Sequence, residues 1–286
     1  MNRWITGARP RTLPAAVVPV AVGAAAAVGE PGEFVAWRVV AALVVSLALQ
    51  VGVNYANDYS DGVRGTDDVR VGPTRLVASG LASASAVKRA AMSAFGVAAV
   101  AGLAIALSTS LWLLVVGVAA IAAGWFYTGG PKPYGYLGLG EVFVFVFFGL
   151  VATAGTTYAA IESVTALSVV AGSAVGSLAC ALLVINNLRD IPTDREVGKR
   201  TLAVRLGDDR TRWFYVALVA SAFVLTAVSA AWRVPALLGL AALPFAVAPI
   251  RAVLGGAGGA ALIPVLGATG RLQLVWGVLL TVGLSI

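Results

Sequence analysis

Two stripes of acidic and amide side chains follow apolar segments that are long enough to cross a lipid bilayer. The first stripe is Asn54, Asn57, Asp58 and Asp61, and the second is Asn186, Asn187, Asp190 and Asp194. Members spaced by three or four residues lie on one face of a helix. Carboxylates that face one another at the same depth repel unless a cation neutralises them. Because Mg²⁺ binds carboxylate and phosphate oxygens together, the stripes predict a site that holds a polyanion through a divalent metal.

The other chemistry-bearing residue types narrow the choice of metal. The chain contains no histidine, which removes the commonest general base and the commonest transition-metal ligand. Its single cysteine, Cys180, excludes a disulfide framework and a thiolate metal site, and we interpret it as a packing residue. A metal in this protein must therefore be held by oxygen, which favours Mg²⁺ or a similar hard cation.

The acidic residues also have a simpler interpretation, as interfacial charges paired with nearby arginines. We favour the metal site because acids within membrane segments are usually functional and because both stripes carry them. The spacing Asn54-x-x-x-Asp58 recurs as Asn186-x-x-x-Asp190, and each copy precedes a basic loop. This weak internal repeat is explained by inherited architecture alone or by a shared site, and a shared site explains why both copies keep carboxylates.

Basic side chains stand in the loops that follow the acids. They are Arg64, Arg75, Lys132, Lys199 and Arg200, which we expect to fold over the acids and grip phosphate. Each of them taken alone is also explained as a topology-setting charge. Lys132 carries the most weight because it lies in a Gly- and Pro-rich loop with Tyr127 and Tyr134. Those tyrosines either are interfacial aromatics or line a pocket for a cation or an aromatic ring.

Composition determines the class of protein. Hydrophobic residues make up 59% of the 286 residues, charged residues only 12%, and the mean hydropathy is +0.92. A soluble domain carries about twice that share of charge, so we predict an all-α polytopic membrane protein. The uncharged runs are 12–29, 39–57, 90–131 with a break at 108–110, 142–161, 163–188, 213–232, 234–250 and 272–286. Counting the broken run twice predicts nine transmembrane helices, of which the last two are short for a span.

The distribution of basic residues predicts the orientation. With the N-terminus in the cytoplasm, every Lys and Arg except Arg38 and Arg233 lies on the cytoplasmic side, as the positive-inside rule requires. The formal net charge of +7 is then explained by topology and by attraction to an anionic inner leaflet. We therefore expect the lipid bilayer, and no nucleic acid, as the partner of this basic surface.

Several passages of the chain resemble the UbiA-type intramembrane aromatic prenyltransferases. They are NYANDYSDG at 54–62 and NNLRD at 186–190, which belong to the two aspartate motifs, together with ARPRTLP at 8–14, YTGGP at 127–131, GLGE at 138–141 and GKRTL at 198–202. The aspartate motifs resemble the superfamily, and the flanking passages resemble the branch that acts on 1,4-dihydroxy-2-naphthoate in menaquinone synthesis. Many relatives carry a third aspartate at the position of Gly65, so Asp67 becomes the candidate substitute ligand.

The resemblance implies one domain over 1–286, with nine helices around a central cavity that opens to the cytoplasmic side of the cell membrane. It implies Mg²⁺-dependent transfer of a polyprenyl chain from polyprenyl diphosphate to 1,4-dihydroxy-2-naphthoate, with decarboxylation, to give demethylmenaquinone. The implied metal ligands are Asn57, Asp58, Asp61, Asp67, Asn187, Asp190 and Asp194. The implied catalytic residues are Asp58, Asp61, Lys132, Asp190 and Asp194. The implied substrate-binding residues are Arg9, Arg64, Arg75, Tyr127, Lys132, Tyr134, Lys199 and Arg200.

Two alternative functions stay open. One is prenylation of another aromatic acceptor, such as 4-hydroxybenzoate or a chlorin. The other is ion transport, since carboxylates at helix ends also coordinate transported ions. Transport is the weaker alternative because the helix centres are almost wholly Ala, Val, Leu and Gly, and the acids cluster on one side only.

Overall fold

The computed structural model describes residues 2–66 and 75–286, and the described part is helical without any strand. Its helices are α1 (Arg3–Ala8), α2 (Pro14–Ala27), α3 (Ala36–Arg64), α4 (Ala84–Ser108), α5 (Trp112–Phe126), α6 (Gly140–Val144), α7 (Ala152–Ile161), α8 (Ala166–Glu196), α9 (Leu202–Leu206), α10 (Asp208–Ser229), α11 (Leu243–Leu254) and α12 (Leu262–Ser285). A π-helical stretch, Phe145–Val151, joins α6 to α7, and 3₁₀ turns cover Pro10–Thr12, Tyr134–Leu137, Val234–Ala242 and Gly259–Ala261. The predicted all-α class is confirmed.

Within the described residues, seven helices are long and apolar enough to cross a membrane, and eight are if α1 and α2 form one bent span. The two parts of that bent pair meet at an angle of 49°. Helix α5 is apolar but has only 15 residues, short of the ~20 that a span needs. A polytopic membrane protein is thus confirmed, whereas the predicted count of nine spans is not.

The uncharged runs misplace several helix ends. The last span was expected at 272–286, but α12 begins at Leu262 and contains the exposed Arg271. That boundary was wrong because a long basic side chain extends toward the membrane surface and does not end a helix. Helices α3 and α8 likewise continue past the uncharged runs to Arg64 and Glu196, since their acidic side chains find polar partners within the bundle.

Helices α3 and α8 finish at the same end of the bundle, since Lys199, which follows α8, lies beside Asp61 near the end of α3. We call the end at which α3 and α8 finish the acidic end, and the opposite end the far end. Helix α8 is the central helix, since 72% of its most apolar 18-residue stretch is buried inside the protein. Its glycines permit close contact with the π-helical stretch, since a Cβ atom at Gly149 would lie 2.6 Å from Cα of Gly176. This contact fixes the position of α6 relative to α8.

The largest apolar core lies among α2, α8, α10 and α12 and includes the fully buried Val22, Leu178 and Trp276. Polar side chains inside it are paired across helices. The indole N–H of Trp276 donates to Thr226 Oγ1 at 2.9 Å, for example. Because lipid tails are as apolar as the core, such close packing and interhelical hydrogen bonds hold the helices together.

Arg38 and Arg233, the two basic residues predicted to lie apart from the others, bind helix ends at the far end. Arg38 donates to the carbonyl oxygen of Ser108 at 2.6 Å and to Glu162 at 2.7 Å. The acceptors of Arg233 are the carbonyl oxygens of Ala25, Val28 and Leu284. The last carbonyl groups of a helix have no partner within it, so these arginines satisfy acceptors that lipid cannot.

Candidate active site

Helix α3 carries the first acidic stripe into the bundle at the acidic end. All four members, Asn54, Asn57, Asp58 and Asp61, are buried. The helix ends at Arg64, and Gly65 follows with a φ of 71°, the left-handed conformation that closes many helices and that glycine adopts without strain. The stripe therefore faces protein and not lipid, as its spacing predicts.

Asp58 holds the backbone of the segment that begins at Leu76. Its Oδ2 accepts the backbone N–H of Leu76 at 2.8 Å, and its Oδ1 accepts that of Val77 at 3.0 Å. The predicted metal ligand is thus also an anchor for the backbone, which the sequence did not indicate. A carboxylate offers about four lone-pair positions, so two backbone bonds leave room for a cation.

Asp61 forms a polar group with Tyr136 and Lys199. The Tyr136 hydroxyl donates to Asp61 Oδ1, and the Lys199 ammonium lies 3.7 Å from the same oxygen. Lys199 also lies 4.6 Å from the centroid of the Tyr136 ring, within cation–π distance. Burial, and after it the Asp61 charge, raises the pKa of Tyr136 above its ordinary value of 10.0. Tyr136 therefore stays a hydroxyl donor at physiological pH and orients Asp61.

The loop at 127–137 is docked on α3 by polar contacts. Arg64 donates to the carbonyl oxygens of Thr128 and Gly130, and its guanidinium lies 5.5 Å from the centroid of the Tyr136 ring. The Thr128 hydroxyl donates to Asn57 Oδ1 at 2.8 Å. Arg64 was predicted to bind substrate. In the structure its guanidinium holds the loop that presents Tyr136 to the acidic stripe.

Helix α8 brings the second acidic stripe to the same end. Asp190 is buried and accepts from Arg189 Nε at 2.6 Å and from Arg189 Nη2 at 2.8 Å. One turn later, the backbone carbonyl of Asp194 accepts the N–H of Lys199 at 2.8 Å. That bond turns the chain back over the site, so the Lys199 side chain reaches Asp61 on α3. Lys199 therefore links the two stripes.

Among the described residues, the candidate metal ligands do not form a compact carboxylate cluster. In the part of the chain that the structure describes, no three His, Cys, Asp or Glu side chains lie close enough to hold a metal ion. Four carboxylates were expected to converge, but Asp58 is engaged by backbone N–H groups and Asp190 by Arg189. The predicted ligand Asp67 lies outside the described residues. All the other candidate ligands offer amide or carboxylate oxygen, and this donor chemistry fits a hard divalent cation.

The basic residues predicted to bind substrate fall into two groups. Lys199 and Arg75 are buried at the acidic end, and Arg75 directly precedes the segment that Asp58 holds. Lys132 and Arg200 are exposed, and no hydrogen bond or ion pair connects the Lys132 side chain to another described residue. The structure therefore brings Lys199 to the acids and leaves Lys132 apart from them.

A cavity of about 340 Å³ opens beside Lys199. Its lining residues are Arg195, Gly198, Lys199, Arg200, Val204 and Arg205. The backbone N–H of Arg200 donates to the carbonyl of Tyr136 at 2.9 Å, which joins this lining to the 127–137 loop. The approach to Asp61 from this side is thus strongly basic, as binding of a phosphate-bearing substrate requires.

Arg9 lies at the bend between α1 and α2. Its φ of 52° is left-handed, an uncommon conformation for a residue with a side chain and one that recurs at functional sites. The bend is tied to α3, because Thr12 Oγ1 donates to the Arg9 carbonyl and accepts from Asn54. The Nη2 atom of Arg9 is buried and has no hydrogen-bond partner among residues 2–66 and 75–286. A donor of this kind suits an anionic group of a substrate.

Tyr127 and Tyr134 lie together beside the start of α6. Their ring centroids are 5.5 Å apart, and the Tyr134 hydroxyl donates to the carbonyl of Ala123 at 2.8 Å. Burial raises the pKa of Tyr134 above its ordinary value. The Tyr127 ring packs so closely on Gly140 that a Cβ atom there would lie 3.2 Å from its Cε2. Both tyrosines therefore contact protein, and their role in lining a pocket stays a prediction.

The site also contains three polar residues to which the sequence assigned no individual role, namely Thr128, Tyr136 and Glu141. Glu141 is only 5% exposed, and its Oε1 accepts from Asn187 Nδ2 at 2.9 Å. A signal for Glu141 exists in the sequence, because it is the one acid of the GLGE passage and opens an apolar run of 20 residues at 142–161. That position at the edge of a membrane segment is where an acid needs an explanation.

Comparisons with known proteins identify the family of this chain. Residues 16–261 match the model of the UbiA prenyltransferase family. The chain is 52% identical over 274 residues to the 1,4-dihydroxy-2-naphthoate octaprenyltransferase of Mycobacterium tuberculosis (strain ATCC 25618 / H37Rv), covering 96% of this chain and 94% of that protein.

Solved structures share the fold. A UbiA homolog from Aeropyrum pernix K1 superposes with a TM-score of 0.73 at 16% identity, covering 96% of this chain and 98% of that one. A UbiA homolog from Archaeoglobus fulgidus, solved bound to DMAPP and Mg²⁺, gives a TM-score of 0.61 at 16% identity, covering 98% and 100%. With the match over 16–261 and the 52% identical relative, the chain belongs to the UbiA prenyltransferase family.

Proposed function

We propose that this protein transfers a polyprenyl chain from polyprenyl diphosphate to 1,4-dihydroxy-2-naphthoate, with loss of carbon dioxide, to give the hydroquinone form of demethylmenaquinone. The 52% identity to an octaprenyltransferase named for this acceptor supports the choice of substrates. The observation that supports the chemistry most is Lys199, which is bonded to Asp194 through its backbone and lies beside Asp61 through its side chain. A cation between two sets of oxygen ligands suits a diphosphate.

The whole chain, 1–286, acts as one domain in the cell membrane, with the N-terminus and the acidic end on the cytoplasmic side. The distribution of basic residues supports this orientation, since Arg38 and Arg233 are the exceptions and both are bound to helix ends. A long isoprenoid chain is soluble in the bilayer, whereas its diphosphate is soluble in water. A site at the cytoplasmic ends of membrane helices receives both parts.

Mg²⁺ would be held by oxygen atoms of Asn57, Asp58, Asp61, Asn187, Asp190 and Asp194, with Asp67 as a further candidate. The A. fulgidus UbiA homolog solved with DMAPP and Mg²⁺ supports this ion. When bound, the ion supplies Lewis-acid neutralisation of the charge on the diphosphate.

The protein's own residues would act by binding and electrostatics. Lys199 and Arg75 bind the diphosphate and stabilise it as the C–O bond to the prenyl chain breaks and the bonding electrons leave with it. Tyr136 keeps Asp61 oriented, and Arg64 keeps the loop of Tyr136 in place. Arg9 receives the carboxylate of the naphthoate. A ring carbon of the naphthoate then forms the new C–C bond to the allylic cation and releases its proton. The carboxylate leaves as carbon dioxide, and the carbon that bore it takes up a proton.

Product mass tests the proposal directly. Purified protein is incubated with Mg²⁺, a polyprenyl diphosphate and either 1,4-dihydroxy-2-naphthoate or 4-hydroxybenzoate. We expect a product of the naphthoate that has gained the prenyl group and lost carbon dioxide, and we expect a chelator to abolish it until Mg²⁺ or Mn²⁺ is restored.

Two variants serve as a matched pair of carboxylate removals in this assay. Asp61→Asn removes a charge from the site and should nearly abolish turnover, whereas Asp209→Asn removes an exposed charge outside it and should not. Prenylation of 4-hydroxybenzoate alone would refute the acceptor, and full activity in chelator would refute the metal-assisted departure of diphosphate.

A further inference from the structure

Only one of the two carboxyl oxygens of Glu141 has a hydrogen-bond partner among the described residues. It is enclosed between α6 and α8, where Oε1 accepts from Asn187 Nδ2 at 2.9 Å and the Cys180 thiol donates to the Glu141 backbone carbonyl at 3.1 Å. The other oxygen, Oε2, is buried and has no hydrogen-bond partner among the residues that the structure describes. Buried carboxyl oxygens rarely lack a partner, because the lost hydration is not replaced.

The contact with Asn187 determines the depth of this oxygen. Asn187 precedes Asp190 by three residues on α8, which is roughly 4.5 Å along the helix at a rise of 1.5 Å per residue. The Glu141 carboxyl group therefore lies closer to the bilayer centre than Asp190 and Asp194. A prenyl diphosphate whose phosphates reach the aspartates has its reacting carbon on this side, and the acceptor ring must meet it there.

The surroundings of Glu141 suit a flat ring. Tyr127 packs against Gly140, the residue before Glu141, and Tyr134 meets Tyr127 edge-on and stacks on Phe143 at 3.9 Å. Aromatic rings favour such edge-on and offset arrangements with another ring. The chain on both sides of Glu141, at Gly140 and Phe143, is therefore packed with aromatic rings, and the Oε2 atom can accept from an O–H or N–H donor.

We propose that Oε2 of Glu141 accepts a hydrogen bond from a ring hydroxyl of the aromatic acceptor and so selects a hydroxylated ring. The inference rests on the proposed function, because it requires a hydroxylated aromatic acceptor at the reacting carbon of the prenyl chain. Asn187 holds the other oxygen and keeps the carboxyl group aimed. Glu141 is thus a specificity-determining residue of the acceptor site, separate from the groups that bind diphosphate.

A cycle of acceptor analogues and variants tests this assignment. Competitive inhibition constants are measured for 1-hydroxy-2-naphthoate and 4-hydroxy-2-naphthoate, each lacking one hydroxyl of 1,4-dihydroxy-2-naphthoate, and are compared with the binding of the parent acid. Binding is measured because removing a hydroxyl also lowers the reactivity of the ring. In the wild-type protein we expect one analogue to bind about tenfold more weakly than the parent, as expected for a lost hydrogen bond to a carboxylate.

In Glu141→Leu, that ratio should fall toward one. In Glu141→Gln it should fall by a smaller factor, because the glutamine NH₂ group can form only a neutral hydrogen bond to the hydroxyl. In both variants the KM for polyprenyl diphosphate stays within about twofold of wild type. The glutamine variant keeps the size of the side chain and an acceptor for Asn187, and it decides the matter if the leucine variant does not fold. Cys180→Ala is the matched control, since it touches the Glu141 backbone and not the carboxyl group, and it should keep the wild-type ratio.

An unchanged ratio in both Glu141 variants would overturn the assignment, as would equal weakening of prenyl diphosphate and acceptor. Failure of the proposed function gives a different result, because the wild-type protein would then form no prenylated naphthoate at all.

Discussion

The two backbone bonds of Asp58 make a prediction for the Asp58→Asn variant. Asparagine presents one oxygen and one NH₂ group, so it accepts from only one of the N–H groups of Leu76 and Val77 and directs a donor at the other. A hydrogen bond to a charged group contributes about 1.5–3 kcal/mol, and the bond that is kept also loses its charge. We expect the segment after Arg75 to lose about 2–4 kcal/mol of local stability, which makes it open about 30- to 700-fold more often at tenfold per 1.4 kcal/mol.

Limited digestion with trypsin measures this opening. The bond after Arg75 is protected in the closed state, since Arg75 is 9% exposed and Leu76 is fully buried. When the segment recloses faster than trypsin cleaves, the cleavage rate follows the open population. Asp61→Asn is the control, because Asp61 contacts Tyr136 and Lys199 and not this segment. Cleavage after Arg75 at the wild-type rate in Asp58→Asn would refute the anchoring role.

Three further predictions concern the loops and the helix contact. Lys199→Ala should raise the KM for polyprenyl diphosphate about tenfold or more, whereas Lys132→Ala should leave this KM unchanged because the Lys132 side chain is exposed. Steady-state kinetics compare the two variants, and equal effects would contradict the assignment of Lys199 to the diphosphate. Gly149→Ala should lower the midpoint of thermal unfolding and reduce the free energy of unfolding by about 1–3 kcal/mol, because its Cβ would lie 2.6 Å from Cα of Gly176. Gly155→Ala is the control and should leave the midpoint unchanged, because a Cβ atom there meets open space. Because the pKa of Tyr136 is raised in the folded protein, the contribution of its hydroxyl to stability is complete below pH 10.0 and is lost as the pH rises through the folded-state pKa. The free energy of unfolding should therefore decrease less with rising alkaline pH in Tyr136→Phe than in the wild type.

The class of the protein and the burial of its first stripe follow from local pattern. Apolar runs of about 20 residues predict membrane helices, and spacings of three and four residues place Asn54, Asp58 and Asp61 on one face. The bonds of Asp58 did not follow, since its partners lie 18 and 19 residues further along the chain and meet it only through tertiary packing. Helix α12 was misplaced because the run of residues without charge was taken as the helix, although Arg271 lies inside it.

The positions of Lys132 and Lys199 also could not be predicted from local sequence pattern. Glycine and proline around Lys132 drew attention to it, but the structure leaves its side chain exposed. Lys199 reaches the acids because its backbone N–H bonds to the Asp194 carbonyl, a turn that no spacing rule predicts. The sequence assigned Glu141 no individual role for a related reason. Its importance arises from the contact of α6 with α8, which depends on tertiary packing between distant parts of the chain.

The arginines at the far end give the bundle a mechanical asymmetry. Arg233 joins the ends of α2 and α12 through their backbone carbonyl groups. Arg38, on α3, binds the carbonyl group at the end of α4 and the carboxylate of Glu162, the residue after α7, so the far end is cross-linked. The acidic end is held through loops, whose contacts break at lower free energy than a packed helix end. Helices that separate to admit an isoprenoid chain should therefore diverge at the acidic end and hinge at the far end. Amide hydrogen exchange would register this as faster exchange in 127–137 than in 103–108, and the reverse order would exclude it.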